Sequence, residues 1–371
     1  MNTNLSKITL LACFMALSLS LFSQSANLII GTYTNKGSKG IYVYKFDTAT
    51  GKATELSHTD SAINPSFLTI SKDKQFVYAV NETNDGQVST YAIKEDKLKL
   101  LQQKSTKGAN PCHVALSADQ RNLFVANYSE GSLTSFHRSA DGLISNARQI
   151  IKHKGSSLNT TRQEKAHVHG NFLSPDGNYL LTTDLGMDET TIYPYNQAST
   201  PILDESKAKV IKSSPGSGPR HLAFSNNGRF LYILEELTGS ISVYNFSKGQ
   251  ASFLQKVLMH PTDFKDNFGS ADIHMSPDGL FLYASNRGSE NNIVKFPVLT
   301  NGKLADKQTK YYSTIGIGPR NFTISADGNW LLVANQNSDN ITIFKRNKIT
   351  GDLIATGNSI KVSMPVCLVL F

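Results

Sequence analysis

The chain has 371 residues, of which 18% are charged and 9% aromatic, with 37 Lys and Arg against 29 Asp and Glu. That composition fits a globular protein of one large or two average folding units and excludes a low-complexity or collagen-like chain. The formal charge of +8 is scattered without a basic arm or tail, which argues against a nucleic-acid partner and leaves an anionic small molecule compatible.

The N-terminus reads as a secretory leader. Lys7 supplies a positive start, Ile8 to Phe22 form an apolar stretch, and Ser23 and Ser25 suit a small-x-small cut before Ala26. Residues 1–25 are therefore expected to be a signal peptide, and residues 26–371 an exported domain, periplasmic or extracellular. The apolar stretch is short for a membrane span, so no stable insertion is expected after cleavage. Removal of the leader leaves Cys112 and Cys367, which are too few for a disulfide framework and read as small core residues.

From there the chain repeats itself about every 50 residues. A Ser-x-Asp-Gly-like turn recurs at Ser71, Ser117, Ser174, Ser225, Ser276 and Ser325. Pro65, Pro111, Pro219 and Pro319 stand six residues before their serines, and an apolar strand follows each turn. About four short strands per unit at this period predict a β-propeller. The C-terminal segment Met364 to Phe371 reads as a first strand with nothing after it. The segments Asn27–Tyr33 and Gly40–Phe46 read as second and third strands with no first. Joining the two ends predicts a seventh blade and removes the free edges an open array would expose. The fold class is therefore all-β, a seven-bladed propeller closed by pairing of its termini. The polar segment Lys152 to Lys165 departs from the repeat and is expected to loop over the propeller's mouth.

Equivalent positions of successive blades form rings around the axis. Five residues before the anchor serines stand Ser66, Cys112, His169, Arg220, Ala271 and Arg320, with Val366 from the closing blade. Eleven residues after them stand Glu82, Tyr128, Leu185, Glu236, Arg287 and Gln336, with Tyr33. Charged groups in a narrow channel are costly unless paired or used. His169, Arg220, Arg320, Glu236 and Arg287 are thus either a set of plugging ion pairs or a functional site. His113 and His221, one position deeper, read as hydrogen-bonded blade residues. Asn81, Asn127, Asn286 and Asn335 share one register and read as turn caps, with Asp184 in the same role. Glu235 occupies that slot in its own blade and is expected either to perturb Glu236 or to face solvent.

The pieces Ile30-Gly-Thr-Tyr-Thr34, Ala166-His-Val-His169, Gly218-Pro-Arg-His221, Glu235-Glu-Leu237 and Ser285-Asn-Arg-Gly288 occur in order. Together they make the chain resemble the seven-bladed lactonase family of propeller-type 6-phosphogluconolactonases and carboxy-muconate cyclases. The resemblance implies a lactonase, a carboxylic ester hydrolase that opens a sugar lactone by general acid/base chemistry without a metal or other cofactor. By motif it implies catalytic roles for His169, Arg220, Glu236 and Arg287, with either His169 or Glu236 as base. Arg162 and Arg320 are candidate rim ligands for an anionic substituent, and Glu82, Tyr128 and Gln336 are candidate substrate contacts. A cyclase or isomerase on the same site, or an exported propeller that only binds, are the alternatives.

Overall fold

The computed structural model describes residues 25–59, 62–266 and 268–371. The leader expected at the N-terminus lies outside them, apart from Ser25. Seven four-stranded antiparallel sheets surround one axis, and the only helical pieces among the described residues are the short 3-10 turns Glu205–Lys207 and Asp306–Gln308. The closing blade is built as expected. Its strand order runs Pro365–Leu370, Ser25–Thr32, Tyr42–Asp47, Ala53–His58, and Asn27 and Phe371 exchange two backbone hydrogen bonds of 2.9 Å.

The repeated turn has a local cause. In Ser174-Pro-Asp-Gly177 the Ser174 hydroxyl donates to Asp176 at 2.5 Å and accepts the Tyr179 N–H at 3.0 Å, while Asp176 accepts the Asn178 N–H at 3.1 Å. The fourth turn position has positive φ, 72° at Gly177 and at Gly279, which glycine adopts without a Cβ clash. Each turn thus reverses the chain tightly between the two inner strands of a blade.

Both faces of each blade are apolar because each is covered by a neighbour. Tyr232, Leu234 and Ile241 of one blade pack against Leu282, Ala284 and Val294 of the next, all 0% exposed. Tyrosines on second strands add directional staples. Tyr78 donates to the Gly142 carbonyl at 2.7 Å and Tyr232 to the Gly302 carbonyl at 3.0 Å, each reaching a turn of the following blade.

The innermost strands share one irregularity, and it positions the site. In Pro219–Phe224, Pro219 pairs with Glu235 and His221 with Leu234, leaving Arg220 as an extra, bulged residue. Cys112, His169, Arg320 and Val366 are skipped in the same way in their blades. A bulge breaks the alternation of the strand and re-aims one side chain. Here it occurs at the ring position read from the repeat.

Candidate active site

The second ring sits where the second strand of each blade ends. There the N–H of Tyr33, Glu82, Tyr128, Leu185, Glu236, Arg287 and Gln336 each donates to a backbone carbonyl beside an innermost strand, at 2.8–3.2 Å. The side chains just past the strand ends are therefore carried on a fixed backbone. Tyr33, Glu82, Cys112, Tyr128, Arg162, His169, Glu236, Arg287 and Arg320 line an axial cavity of about 210 Å³. A larger recess of about 460 Å³ lies between blade turns beside Pro175, Asn226 and Lys248. The axial cavity is nevertheless where the ring residues and their titratable groups converge.

Glu236 is the centre of the site. Its Oε1 lies 2.8 Å from Arg162 Nη2 and 3.2 Å from Arg287 Nη2, and its Oε2 lies 3.0 Å from Arg220 Nε. Arg220 Nε is too poorly aligned for a hydrogen bond, so that contact is coulombic. Burial alone would raise the Glu236 pKa, but Arg287, Arg220 and Arg162 outweigh it and bring the carboxyl from 4.5 down to about 2. Arg220 is itself 2% exposed, and its Nη1 donates to the Ala271 carbonyl and faces His221 Nε2 at 3.2 Å. Burial, together with repulsion by Arg287, lowers Arg220 to about 10, still well above neutrality. Arg287 is braced by Nε donation to the Gly269 carbonyl at 2.8 Å.

His169 is 5% exposed, with Nδ1 3.9 Å from Cys112 Sγ and its ring edge-on to Tyr128. Burial, then Arg220, His221 and Arg320, hold its pKa well below 6.5, so the imidazole is neutral at pH 7. Cys112 donates to the His169 carbonyl at 3.3 Å, and burial pushes its thiol far up, which keeps it protonated. On the opposite wall Tyr33 donates to Glu82 at 2.8 Å, and Arg320 stands over the Tyr33 ring with its guanidinium 5.3 Å from the centroid. Among the described residues the Arg320 guanidinium has no hydrogen-bond partner. Tyr33 and Glu82 nonetheless hold its pKa above the usual arginine value against the effect of burial.

The segment expected to cross the mouth delivers Arg162. Gln163 donates to Asp188 at 2.7 Å and to the Leu185 carbonyl at 2.9 Å, and Ser157 donates to Asp188 at 2.5 Å. Asp188 also accepts the Gly216 and Gly218 N–H groups, so one buried carboxylate ties the loop to two neighbouring turns. A side chain at Gly186 would collide with the Lys165 carbonyl, which explains why glycine stands where the loop returns.

The structure thus brings Glu82, Tyr128, Arg162, His169, Glu236, Arg287 and Arg320 to one cavity and places Arg220 directly behind Glu236. Gln336 is half-buried and is not among the lining residues. Two further lining residues, Tyr33 and Cys112, stand in the rings without an assigned role, Cys112 reading from the sequence as a small core residue. The expectation for Glu235 is corrected. It is 0% exposed, accepts from Ser240 at 2.7 Å and Ser242 at 2.9 Å, and pairs with Lys256 at 2.7 Å. It is a neutralised turn cap inside the blade and faces neither Glu236 nor solvent. His167, the other histidine of the His-x-His, stacks on Tyr128 at 4.4 Å and pairs with Glu164 at 3.1 Å. No three His, Cys, Asp or Glu side chains among the described residues are grouped to hold a metal ion, and no helix of the described part is long and apolar enough to cross a membrane.

Relatives share this architecture along nearly their whole length. The chain is 38% identical over 334 residues to a 6-phosphogluconolactonase of Formosa agariphila, covering 88% of this chain and 94% of the relative. It is 33% identical over 347 residues to the 6-phosphogluconolactonase of Bacillus subtilis, covering 91% and 96%. Among solved structures, the periplasmic gluconolactonase of Pseudomonas aeruginosa superposes with a TM-score of 0.85 at 36% identity, covering 93% of this chain and 99% of that one. Residues 27–370 match the family described as lactonase, 7-bladed β-propeller, and the chain belongs to that family.

Proposed function

We propose that the protein hydrolyses a sugar lactone in the axial cavity without a metal, with His169 as general base. The observation that carries this reading is the division of labour around Glu236. Its two oxygens are occupied by three guanidinium groups, and a carboxylate with a pKa of about 2 is a weak base. His169 is neutral, lines the same cavity and has an acceptor nitrogen to offer. In this mechanism His169 takes a proton from water as the oxygen attacks the lactone carbonyl. Arg287, with Arg220 behind it, meets the negative charge that develops on the carbonyl oxygen. When the tetrahedral intermediate collapses, the imidazolium returns the proton to the departing ring oxygen, and the product is an open-chain hydroxy acid. Glu236 stays ionised and keeps the arginines aimed.

Four guanidinium groups face two carboxylates, Glu82 and Glu236, which favours a substrate carrying negative charge. Arg320 and Arg162 are the ligands we assign to that group. The cavity volume suits a single sugar ring, being below the roughly 300 Å³ at which pockets for drug-sized ligands begin. The N-terminal leader supports export, in keeping with the periplasmic relative; a lactone met outside the cytosol is then the physiological substrate.

The reading is tested by pH-stat hydrolysis of glucono-δ-lactone and 6-phosphoglucono-δ-lactone, with and without chelator, beside Glu236→Ala. Turnover that survives chelation and is lost in the variant is expected. Rates equal to the spontaneous background for both proteins would replace the enzyme with a binding propeller.

A further inference from the structure

Beneath the cavity lies a second polar layer that the proposed mechanism does not use. His221 and Asp272 come from neighbouring innermost strands, one position deeper than Arg220 and Ala271, and are 4% and 3% exposed. Asp272 is saturated with donors. Oδ1 accepts from His221 Nδ1 at 2.8 Å and the Ile273 N–H at 3.1 Å, and Oδ2 from Asn321 Nδ2 at 2.6 Å, His274 Nε2 at 2.9 Å and the Phe322 N–H at 3.2 Å. A carboxylate so surrounded is ionised and accepts only, so the His221 proton sits on Nδ1. That leaves His221 Nε2 with a lone pair, 3.2 Å from Arg220 Nη1, a group that can only donate. Arg220 in turn places Nε 3.0 Å from Glu236.

We propose that Asp272 and His221 are positioning residues for the site. Asp272 fixes the His221 tautomer, the imidazole lone pair and the Ala271 carbonyl together hold Arg220 Nη1, and Arg220 so placed sets its charge against Glu236. The kinetic part of this proposal rests on the lactonase reading; the tautomer does not. An imidazole flipped to the Nε2–H form would point a hydrogen at a guanidinium hydrogen and push Arg220 off Glu236. The other polar and charged groups around the imidazole do not compete for Nε2: His113 and His169 meet it through ring contacts. Removing the partner that orients a metal-bound histidine typically costs about 10–100-fold, and a loss of that order is expected here.

The experiment compares His221→Gln, His221→Leu and Asp272→Asn. Glutamine can donate its amide to Asp272 and offer its carbonyl to Arg220, reproducing the neutral tautomer, whereas leucine can do neither. Expected is kcat within about threefold of wild type for His221→Gln, and a fall of about 10-fold or more for His221→Leu and Asp272→Asn, with KM little changed. Equal kcat in the glutamine and leucine variants overturns the proposal. Long-range ¹⁵N–¹H spectra of the histidines provide a readout independent of turnover. Wild type is expected to show His221 protonated at Nδ1; protonation at Nε2 overturns the proposal. If wild type opens neither lactone, the functional reading fails while these spectra still decide the positioning role. Should Asp272→Asn not fold, the His221 pair decides alone.

Discussion

The two walls of the axial cavity draw on the same ring positions, one of them with Arg162 added from the loop, and they differ in how their charges are matched. On one wall Arg162, Arg220 and Arg287 converge on Glu236, so their charge is already matched and their geometry set before any ligand arrives. On the other, Tyr33 donates to Glu82, and the Arg320 guanidinium stands over the Tyr33 ring within the field of Glu82 but with no hydrogen-bond partner among the described residues. A preorganised wall holds dipoles where charge develops during reaction. A cation with no hydrogen-bond partner keeps its donors available to an anion. On our proposal Glu236, Arg220 and Arg287 serve the chemistry, while Arg320 on the second wall, with Arg162 at the rim, takes the anionic group of the substrate.

Breaking the organised wall has the largest expected effect. Glu236→Gln removes the counter-charge of three arginines, which then repel one another, and is expected to lower kcat/KM by about 10³-fold or more. Loss of less than about tenfold in steady-state assays would separate Glu236 from catalysis. Arg320→Ala sharpens the contrast, because it is expected to raise KM by about 10–100-fold with kcat within a few-fold. A fall in kcat at unchanged KM would move Arg320 to the other wall. Arg162 has its side chain 42% exposed and sits on the loop, so Arg162→Ala is expected to cost about tenfold in kcat/KM, less than either.

The pH dependence follows from His169. Folding lowers its pKa below the 6.5 of the unfolded chain, so the stabilisation of the neutral ring is complete above pH 6.5 and is lost progressively below it. Activity limited by this base is therefore expected to show no acid limb near 6.5, with kcat/KM falling only at lower pH. A half-maximal point at 6.5 or above in the rate profile would contradict the assignment. The smallest effect on activity is expected at Glu235. Glu235→Ala leaves Ser240, Ser242 and Lys256 without their acceptor and is expected to cost on the order of 2 kcal/mol in denaturant unfolding, while kcat/KM stays within about twofold.

The contrast between Glu235 and Glu236 also shows what a repeat makes legible. Position in the blade predicted the axial ring because the bulge recurs at one register, and the closing blade because each terminus lacked what the other carried. Glu235 was misread because its neutralising Lys256 lies 21 positions on, in the outermost strand, where no repeat position marks it. The slot is occupied by a buried polar cap that bonds the start of the third strand in several blades. Asn81 accepts from Ser89, and Asn127 donates to Ser132 and Thr134, as Glu235 accepts from Ser240 and Ser242. Of the three-arginine clamp, the pairs of Glu236 with Arg220 and Arg287 lie between ring positions, whereas the third was out of reach, because Arg162 comes from a loop outside the repeat. His169 rather than Glu236 is proposed as base on the contacts of both, which no sequence position displays.

The most direct test of the account compares His169→Gln with His167→Gln in pH-stat lactone hydrolysis. The two histidines are two residues apart, one facing the cavity and one stacked on Tyr128 and paired with Glu164. A fall in kcat of about 10²–10⁴-fold for His169→Gln, with His167→Gln within about fivefold of wild type, is the predicted result. Equal losses in the two variants, or full turnover without His169, would contradict it.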